Sequence, residues 1–178
     1  MTFSELQELF VSLTNTDEVD SSTLCIWFNE AQLDLALDFG EVKELPLRNA
    51  ALFDMPDDLL KVLTITESGD HADWGISPAG KLVLPSSGNY ELVYRAMPSI
   101  QFSPVDVDAE SALPAPIHYL MAYYAAWKFW DMESEGDTEE SNHATKFLNY
   151  YRQGKATMLS KLDFAGAGGS IVDRWRII

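Results

Sequence analysis

The sequence predicts a mainly α (α+β) fold in which an N-terminal helix pair and a C-terminal helical hairpin pack as a bundle, with a small inserted antiparallel β module. Apolar residues recur at helical spacing near both ends of the chain. Between them, Pro and Gly punctuate short β-like runs in residues 45–112. The chain has 178 residues, of which 47% are hydrophobic, so it is large enough to bury a core.

Two helices are predicted near the N-terminus, over residues 3–15 and 22–39. Ser4 is a side chain that can cap the first helix, and Asn15 is expected to end it. The second helix is expected to stop at Gly40, because glycine favours the backbone conformation that ends helices. Its candidate caps are Ser21 and Ser22.

Cys25, the single cysteine, lies on the apolar stripe of the second predicted helix. One cysteine cannot form an internal disulfide, and a reactive thiol would need basic neighbours, so a buried small side chain is predicted. Glu5 and Glu8 interrupt the apolar stretch at the N-terminus, so no signal peptide is predicted, and no run of 18 apolar residues predicts a membrane span. We therefore expect synthesis in a reducing cytoplasm.

The β module is predicted at about 45–100, followed by a connecting loop at 99–112. Alternation in the last run is imperfect, so the pattern does not decide which face is buried. Residues 68–75 have a loop composition and are predicted to form an exposed tip. The predicted strands are 61–66, 81–84 and 90–95.

An aromatic helical hairpin is predicted at 114–135 and 138–162, after Leu113-Pro114. The first of these helices has aromatic residues around its circumference, which one packed face cannot absorb. Thr138 can cap the second, after the acidic turn Glu135-Gly136-Asp137. Residues 1–163 are thus predicted to form a single domain.

Residues 164–178 are predicted to be a flexible docking tail, with a Gly-rich linker before a basic, apolar end. Trp and Arg are the residue types that most often anchor interfaces, so this end is the hypothesised partner interface. The alternative is that the tail packs back on its own domain or is simply mobile. The interface hypothesis comprises Ile171, Val172, Arg174, Trp175, Arg176, Ile177 and Ile178.

Charge is unevenly distributed along the chain, whose formal net charge is −16. Residues 1–145 hold 26 acidic and 6 basic residues, whereas residues 146–178 hold 2 acidic and 6 basic residues. The acidic excess argues against a direct grip on nucleic acid, because phosphate contacts need Lys and Arg. A solvated acidic surface is the simpler interpretation, and an acidic bore in a ring of subunits is the functional one.

The order of these segments resembles the head-to-tail connector (adaptor, or head-completion) proteins of tailed bacteriophages. The resemblance covers roughly residues 3–160, and it is a pattern of order and spacing. A Tyr-rich strand that ends in Met-Pro, a short loop, then Leu-Pro and a helix contribute most to it. The motifs are Phe28-Asn29-Glu30-Ala31, Pro56-Asp57-Asp58-Leu59-Leu60-Lys61-Val62, Tyr90-Glu91-Leu92-Val93-Tyr94-Arg95-Ala96-Met97-Pro98 and Leu113-Pro114.

The resemblance implies a structural virion protein that forms a homo-oligomeric ring of about 12 copies between the capsid portal and the tail. Its partners would then be the portal protein and a downstream tail or neck protein, and DNA would pass through the bore without specific binding. It implies a location in the virion neck after assembly in the host cytoplasm. A tail-completion protein is the alternative within this class, and an acidic DNA-mimic inhibitor of a nucleic-acid enzyme is the alternative outside it.

Motifs for covalent chemistry or metal binding are weak throughout the sequence. Residues 131–142 partly match a calcium loop, but Asn142 replaces the carboxylate that the twelfth position should supply. His71, His118 and His143 are far apart and have no metal-ligand spacing. Acidic residues are too numerous to single out a catalytic pair, so a small hydrolase is the least favoured interpretation. We expect no enzyme activity, cofactor or metal.

Overall fold

The computed structural model describes residues 1–134 and 138–165, with side chains up to residue 161. Contacts divide the chain into two compact units, a helical unit (Met1–Phe39 and the chain from Pro98 onward) and a sheet unit (Gly40–Met97). The elements in chain order are α1 (Phe3–Thr14), α2 (Ser21–Phe39), β1 (Val42–Phe53), β2 (Leu59–Glu67), β3 (Asp70–His71), β4 (Gly75–Ile76), β5 (Leu82–Ala96), a 3-10 turn (Ala115–Ile117), α3 (Tyr119–Glu133) and α4 (Thr138–Ala165).

The predicted fold class, a mainly α bundle with a small β module, is wrong. The described residues form four helices and a five-stranded antiparallel sheet, with 47% helix and 28% strand, which is an α+β fold. The sheet has a hydrophobic core of its own. It is therefore a unit in its own right, because its buried side chains pack on one another.

β5 is the central strand of the sheet, and its length organises the other strands. It pairs with β1 on one side and with β2 and β4 on the other, and β3 continues the sheet beyond β2. Tyr90, Leu92 and Tyr94 are buried, whereas Glu91 is exposed. The buried face that the alternation left undecided is therefore the Tyr90–Leu92–Tyr94 face.

β1 was missed by the sequence prediction, and β5 was predicted as two separate strands. β1 contains Pro46, which lacks a backbone N–H, but proline is compatible with the edge strand that β1 forms in this sheet. Its ladder with β5 shifts register on either side of Ala50, next to Asn49, whose φ is 59°. These register shifts accommodate Pro85 within the strand. β5 therefore continues without interruption through a segment whose composition predicts a turn.

The predicted exposed tip at 68–75 contains a tight hairpin turn between β2 and β3. Ser68 and Gly69 both have positive φ, 54° and 93°, and Glu67 pairs with Asp70 across the two-residue loop. Two consecutive residues with positive φ match the right-handed twist of the flanking strands. The tip therefore has a defined conformation, and its residues 68–71 are exposed.

α3 is the central helix of the helical unit and packs against α1, α2 and α4. Its buried residues lie on more than one side, and its aromatic rings contact rings of two neighbouring helices, as Phe129 does with Phe10 of α1 and Tyr124 with Tyr151 of α4. Close approach of α4 depends on Gly154, where an added Cβ would lie 2.4 Å from Leu120 Cδ2. The helices therefore surround α3, in place of the predicted arrangement of two pairs.

Helix caps differ from those expected at both N-terminal helices. Thr2, not Ser4, caps α1: its hydroxyl accepts from the Glu5 N–H, and the Glu5 carboxylate accepts from the Thr2 N–H. Asp20 accepts from the Thr23 N–H at 3.0 Å, so it caps α2 in place of the predicted serines. Asn15, with φ 57°, ends α1 as predicted.

Candidate partner-interface site

The predicted partner-interface residues, Ile171 to Ile178, lie outside the described residues. The same is true of the predicted boundary between the domain and its tail, which stays a prediction. Helix α4 is described as far as Ala165. The surfaces that could receive a partner are therefore sought on the described helices.

A row of three carboxylates on α2 contacts the two neighbouring helices α3 and α4. Glu30, Asp34 and Asp38 are spaced four residues apart and so lie on one side of the helix. Each contacts a lysine, at Nζ to O distances of 2.9 to 3.1 Å. The partners are Tyr124 and Lys128 of α3 for Glu30, Tyr151 and Lys155 of α4 for Asp34, and Lys155 for Asp38.

Tyr-x-x-x-Lys occurs once on α3 and once on α4, and this spacing matches the acidic row because both follow the helical repeat. Burial alone would lower the pKa of the Lys155 ammonium, but its hydrogen bonds to Asp34 and Asp38 outweigh burial and hold that pKa above its ordinary value. Burial and the bond to Asp34 raise the pKa of the Tyr151 hydroxyl. The row therefore acts as a polar lock between α2, α3 and α4.

Two amide side chains of α2 hold the segment that enters the helical unit from residue 98. Asn29 donates to the Phe102 carbonyl at 3.0 Å and accepts from the Phe102 N–H at 2.8 Å. Gln32 is fully buried, donates to the Ile100 carbonyl at 2.6 Å, and accepts from the Ser111 hydroxyl at 2.6 Å. These bonds place the Phe102 ring 5.8 Å from the ring of Phe3.

Polar residues within the apolar stripe of a predicted helix are the signal that could have identified Asn29 and Gln32. Neither side chain has a predicted role beyond the family motif that contains Asn29, although both lie within that stripe. The acidic row was also missed, and its signal is the four-residue spacing of Glu30, Asp34 and Asp38. In both cases the partners are distant in sequence, so only the fold brings them together.

His118 is buried at the start of α3 and bonded through both ring nitrogens. The Met1 amino nitrogen lies 2.5 Å from Nδ1, and the Leu113 carbonyl lies 2.6 Å from Nε2. Burial lowers the pKa of the ring and outweighs the opposing effects of the Leu113 carbonyl, Glu110 and Glu5. The neutral ring is therefore favoured in the folded chain.

We expect the chain to lose stability as the pH falls below about 6.5, the ordinary pKa of histidine. The unfolded chain then takes up a proton that the buried ring resists, so the unfolded state binds more protons. Thermal melts at pH 8, 7, 6 and 5 will measure this decline. His118→Gln should flatten the curve between pH 7 and 5, and the exposed His71→Gln should leave it unchanged. An identical slope in His118→Gln would show that another group is responsible.

A cleft lies between α1 and the beginning of α2, and we call it the α1–α2 cleft. Its volume is about 470 Å³. Gln7 Nε2 donates to Ser21 Oγ at 3.1 Å beside it. Apolar and acidic side chains are mixed in the lining, which consists of Ser4, Gln7, Glu8, Phe10, Val11, Asp17, Val19, Ser21 and Leu24.

Apolar side chains are also exposed on the outside of the helical unit. Ile26 and Leu33 are seven residues apart on α2 and 58% and 44% exposed. Val105, in the segment before α3, is 91% exposed. Exposed apolar side chains at regular helical spacing are more typical of an interface than of a solvated surface.

The residues considered for chemistry do not come together in the described part of the chain. His71 belongs to the sheet unit, His118 is buried as described, and His143 stacks on Trp130 with ring centroids 4.8 Å apart. Among the described residues, no group of three or more His, Cys, Asp or Glu side chains could hold a metal ion. The partial calcium loop includes residues 135–137, which lie outside the described residues.

Cys25 is buried, as predicted, and burial raises the pKa of its thiol. A raised pKa disfavours the reactive thiolate. Over the same described residues, none of the helices combines the length and apolar character needed to cross a membrane.

No protein-family model and no curated protein matches the sequence of this chain.

Proposed function

We propose that the chain is a structural subunit of a head-to-tail connector, in which about 12 copies form a ring between the capsid portal and the tail of a bacteriophage. The ring extends the DNA channel and provides a platform for tail attachment. The observation that carries the proposal is the separation of charge between an acidic body and a basic C-terminal end. The family resemblance of the segment order supports the same assignment.

The acidic body keeps most of its charge after folding. Ion pairs in the described part of the chain join four lysines to six carboxylates, whereas residues 1–145 contain 26 acidic residues. A surface of this sign repels DNA phosphates and does not retain them. DNA can then move through a ring of such subunits without specific binding.

Exposed apolar side chains supply material for contacts between subunits. Ile26 and Leu33 lie on α2 beside the acidic row, and Leu52 pairs with Val83 on an exposed part of the sheet. Heterologous contacts between a basic end and an acidic body close into rings when the rotation between subunits permits it. Ring assembly also explains why a soluble chain would expose these side chains.

The acidic row gives no support to the DNA-mimic alternative. A protein that mimics DNA presents carboxylates to its target enzyme, but Glu30, Asp34 and Asp38 are each paired with lysine within the chain. A carboxylate that is already paired contributes little to attraction of a basic partner. The aromatic helical hairpin likewise gives no advantage to a mimic.

Electron cryomicroscopy of tailed particles that contain this chain tests the proposal. We expect a ring of this protein between portal and tail, with the acidic body facing the channel. Density at the far end of the connector or tail would instead favour the tail-completion alternative. Absence of the protein from the neck and tail would overturn the proposal.

Deletion of residues 167–178 should abolish tail attachment and leave the folded units intact. Infected cells should then accumulate DNA-filled heads without tails, which electron microscopy will count. The purified truncated chain should keep the cooperative melt and melting temperature of the full chain. A chain in which the order of residues 167–178 is scrambled keeps the length and charge of the tail, and it is the matched control. Loss of the cooperative melt would show that the tail belongs to the core.

A further inference from the structure

The α1–α2 cleft combines an apolar floor with an acidic rim. Phe10 and Leu24 are buried at its base, and Glu8 and Asp17 are exposed. Within the part of the chain that the structure describes, neither carboxylate takes part in an ion pair with a lysine or arginine. The cleft is therefore suited to a peptide that carries both an apolar side chain and positive charge.

We propose that the α1–α2 cleft receives the C-terminal segment 171–178 of a second copy of this chain. In this arrangement Trp175 enters the apolar floor, and Arg174 and Arg176 pair with the acidic rim. Trp and Arg are frequent interface anchors, and a volume of about 470 Å³ lies within the range of peptide and ligand pockets. The inference rests on the proposed function, since it names the contact by which neighbouring subunits join.

Chain length favours another copy of the chain as the source of the segment. α2 and α4 run in the same direction, because Tyr151 bonds to Asp34 while Lys155, one turn later, also reaches Asp38. From the contact between Asp34 and Tyr151, α4 continues for about 20 Å to Ala165. The beginning of α2 at Ser21 lies about 20 Å from the same contact in the opposite direction.

The cleft of the same chain is therefore about 40 Å from the end of α4. The nine residues from 166 to 174 span about 32 Å even when fully extended, so Arg174 would reach its own cleft only with the whole segment stretched out and its side chain extended. A neighbouring copy removes this restriction. Each subunit would then offer its tail to one neighbour and its cleft to the other, which is the heterologous contact that a ring requires.

Photo-cross-linking tests this contact in the full-length protein. The photoreactive residue p-benzoylphenylalanine replaces Trp175 and keeps an aromatic side chain at the anchor position. Equal amounts of isotopically light and heavy chains are mixed, concentrated and irradiated, and the cross-linked peptides are identified by mass spectrometry. We expect cross-links between light and heavy chains that join position 175 to peptides within residues 4–24.

Charge reversal provides the specificity control. Glu8→Lys with Asp17→Lys should reduce these cross-links at least tenfold, and a tail with Arg174→Glu and Arg176→Glu should restore them when the two variants are mixed. Glu44→Lys with Asp57→Lys is the matched control, because it changes net charge equally at exposed positions of the sheet unit. Restoration by the complementary tail also shows that the reversed cleft is folded.

Three results would overturn the inference: cross-links within a single chain, cross-links insensitive to the cleft reversal, or cross-links to the portal protein in place of the cleft. The same irradiation of tailed particles separates this inference from the proposed function. Particles with the protein in the neck but without cleft cross-links would reject the docking site alone. Cleft cross-links in purified protein that is absent from the neck would reject the connector function alone.

Discussion

Gln32→Leu should lower the free energy of unfolding by about 2 kcal/mol, because it removes two hydrogen bonds of a buried amide and leaves the buried Ser111 hydroxyl without its acceptor. The Ile100 carbonyl loses its donor, and the Ser111 hydroxyl loses its acceptor. Leucine has nearly the volume of glutamine, so the loss reflects unsatisfied polar groups more than a cavity. Urea unfolding followed by circular dichroism will measure the change.

The neighbouring substitution Leu33→Ala is the matched control, since Leu33 is 44% exposed on the same helix. It should change the unfolding free energy by less than about 0.5 kcal/mol. Adding Ser111→Ala to Gln32→Leu should cost less than the sum of the two single changes, because both single changes remove the same hydrogen bond between Ser111 and Gln32. A Gln32→Leu protein as stable as the native chain would mean that the segment from residue 98 is held by other contacts.

Lys155→Met should lower the unfolding free energy by about 2 kcal/mol at pH 7, because it leaves Asp34 and Asp38 close together without their shared cation. The side chain of Lys155 is 19% exposed, but that of Asp34 is 41% exposed, so solvent reduces the cost below that of a fully buried pair. Methionine keeps most of the apolar stem of lysine. Chemical unfolding at pH 7 will measure the loss.

The dependence of stability on alkaline pH distinguishes the contribution of the polar lock from that of apolar packing. Both Lys155 and Tyr151 have raised pKa values in the folded chain, so the folded state holds their protons more tightly than the unfolded state. Their stabilisation is fully present below about pH 10 and is lost as the pH rises above it. The unfolding free energy of Lys155→Met should therefore fall less steeply between about pH 9.5 and 11 than that of the native chain. This pH range is set by the ordinary lysine pKa of about 10.4.

Lys161→Met is the control for the loss of one lysine from α4, since Lys161 is exposed and lies six residues further along the helix. This substitution should leave both the stability at pH 7 and the alkaline slope unchanged. Equal effects of the two substitutions would point to net charge, and not to the contacts of Lys155, as the cause.

Sequence patterns were most informative where a signal repeats locally. Helical spacing predicted the helices around Cys25 and Tyr124, and Asn15 marked the end of α1, because such signals depend on neighbouring residues alone. The prediction failed for β1, whose Pro46 and Asn49 are typical of loops. Antiparallel pairing with β5 and a register shift accommodate both residues, and neither depends on the local sequence.

The candidate site shows the same division. The basic, aromatic C-terminal end was identified from composition, since Trp and Arg between aliphatic residues are conspicuous in an acidic chain. The proposed receptor was not, because Glu8 and Asp17 belong to different segments and meet around one cleft only when α1 packs beside α2. The pairing of Asp34 with Lys155 is equally invisible in sequence, as 121 positions separate them.

Composition and local patterns were enough to predict the charge separation, the buried cysteine and the helices that precede and follow the sheet in the chain. These properties follow from composition and from the period of the helix, which a linear pattern records directly. Tertiary structure alone decided that the middle of the chain is a five-stranded sheet with its own core, that α3 is the central helix, and that α2 carries the polar lock. Strand pairing, helix packing and long-range ion pairs depend on residues far apart in sequence, and these meet only when the chain folds.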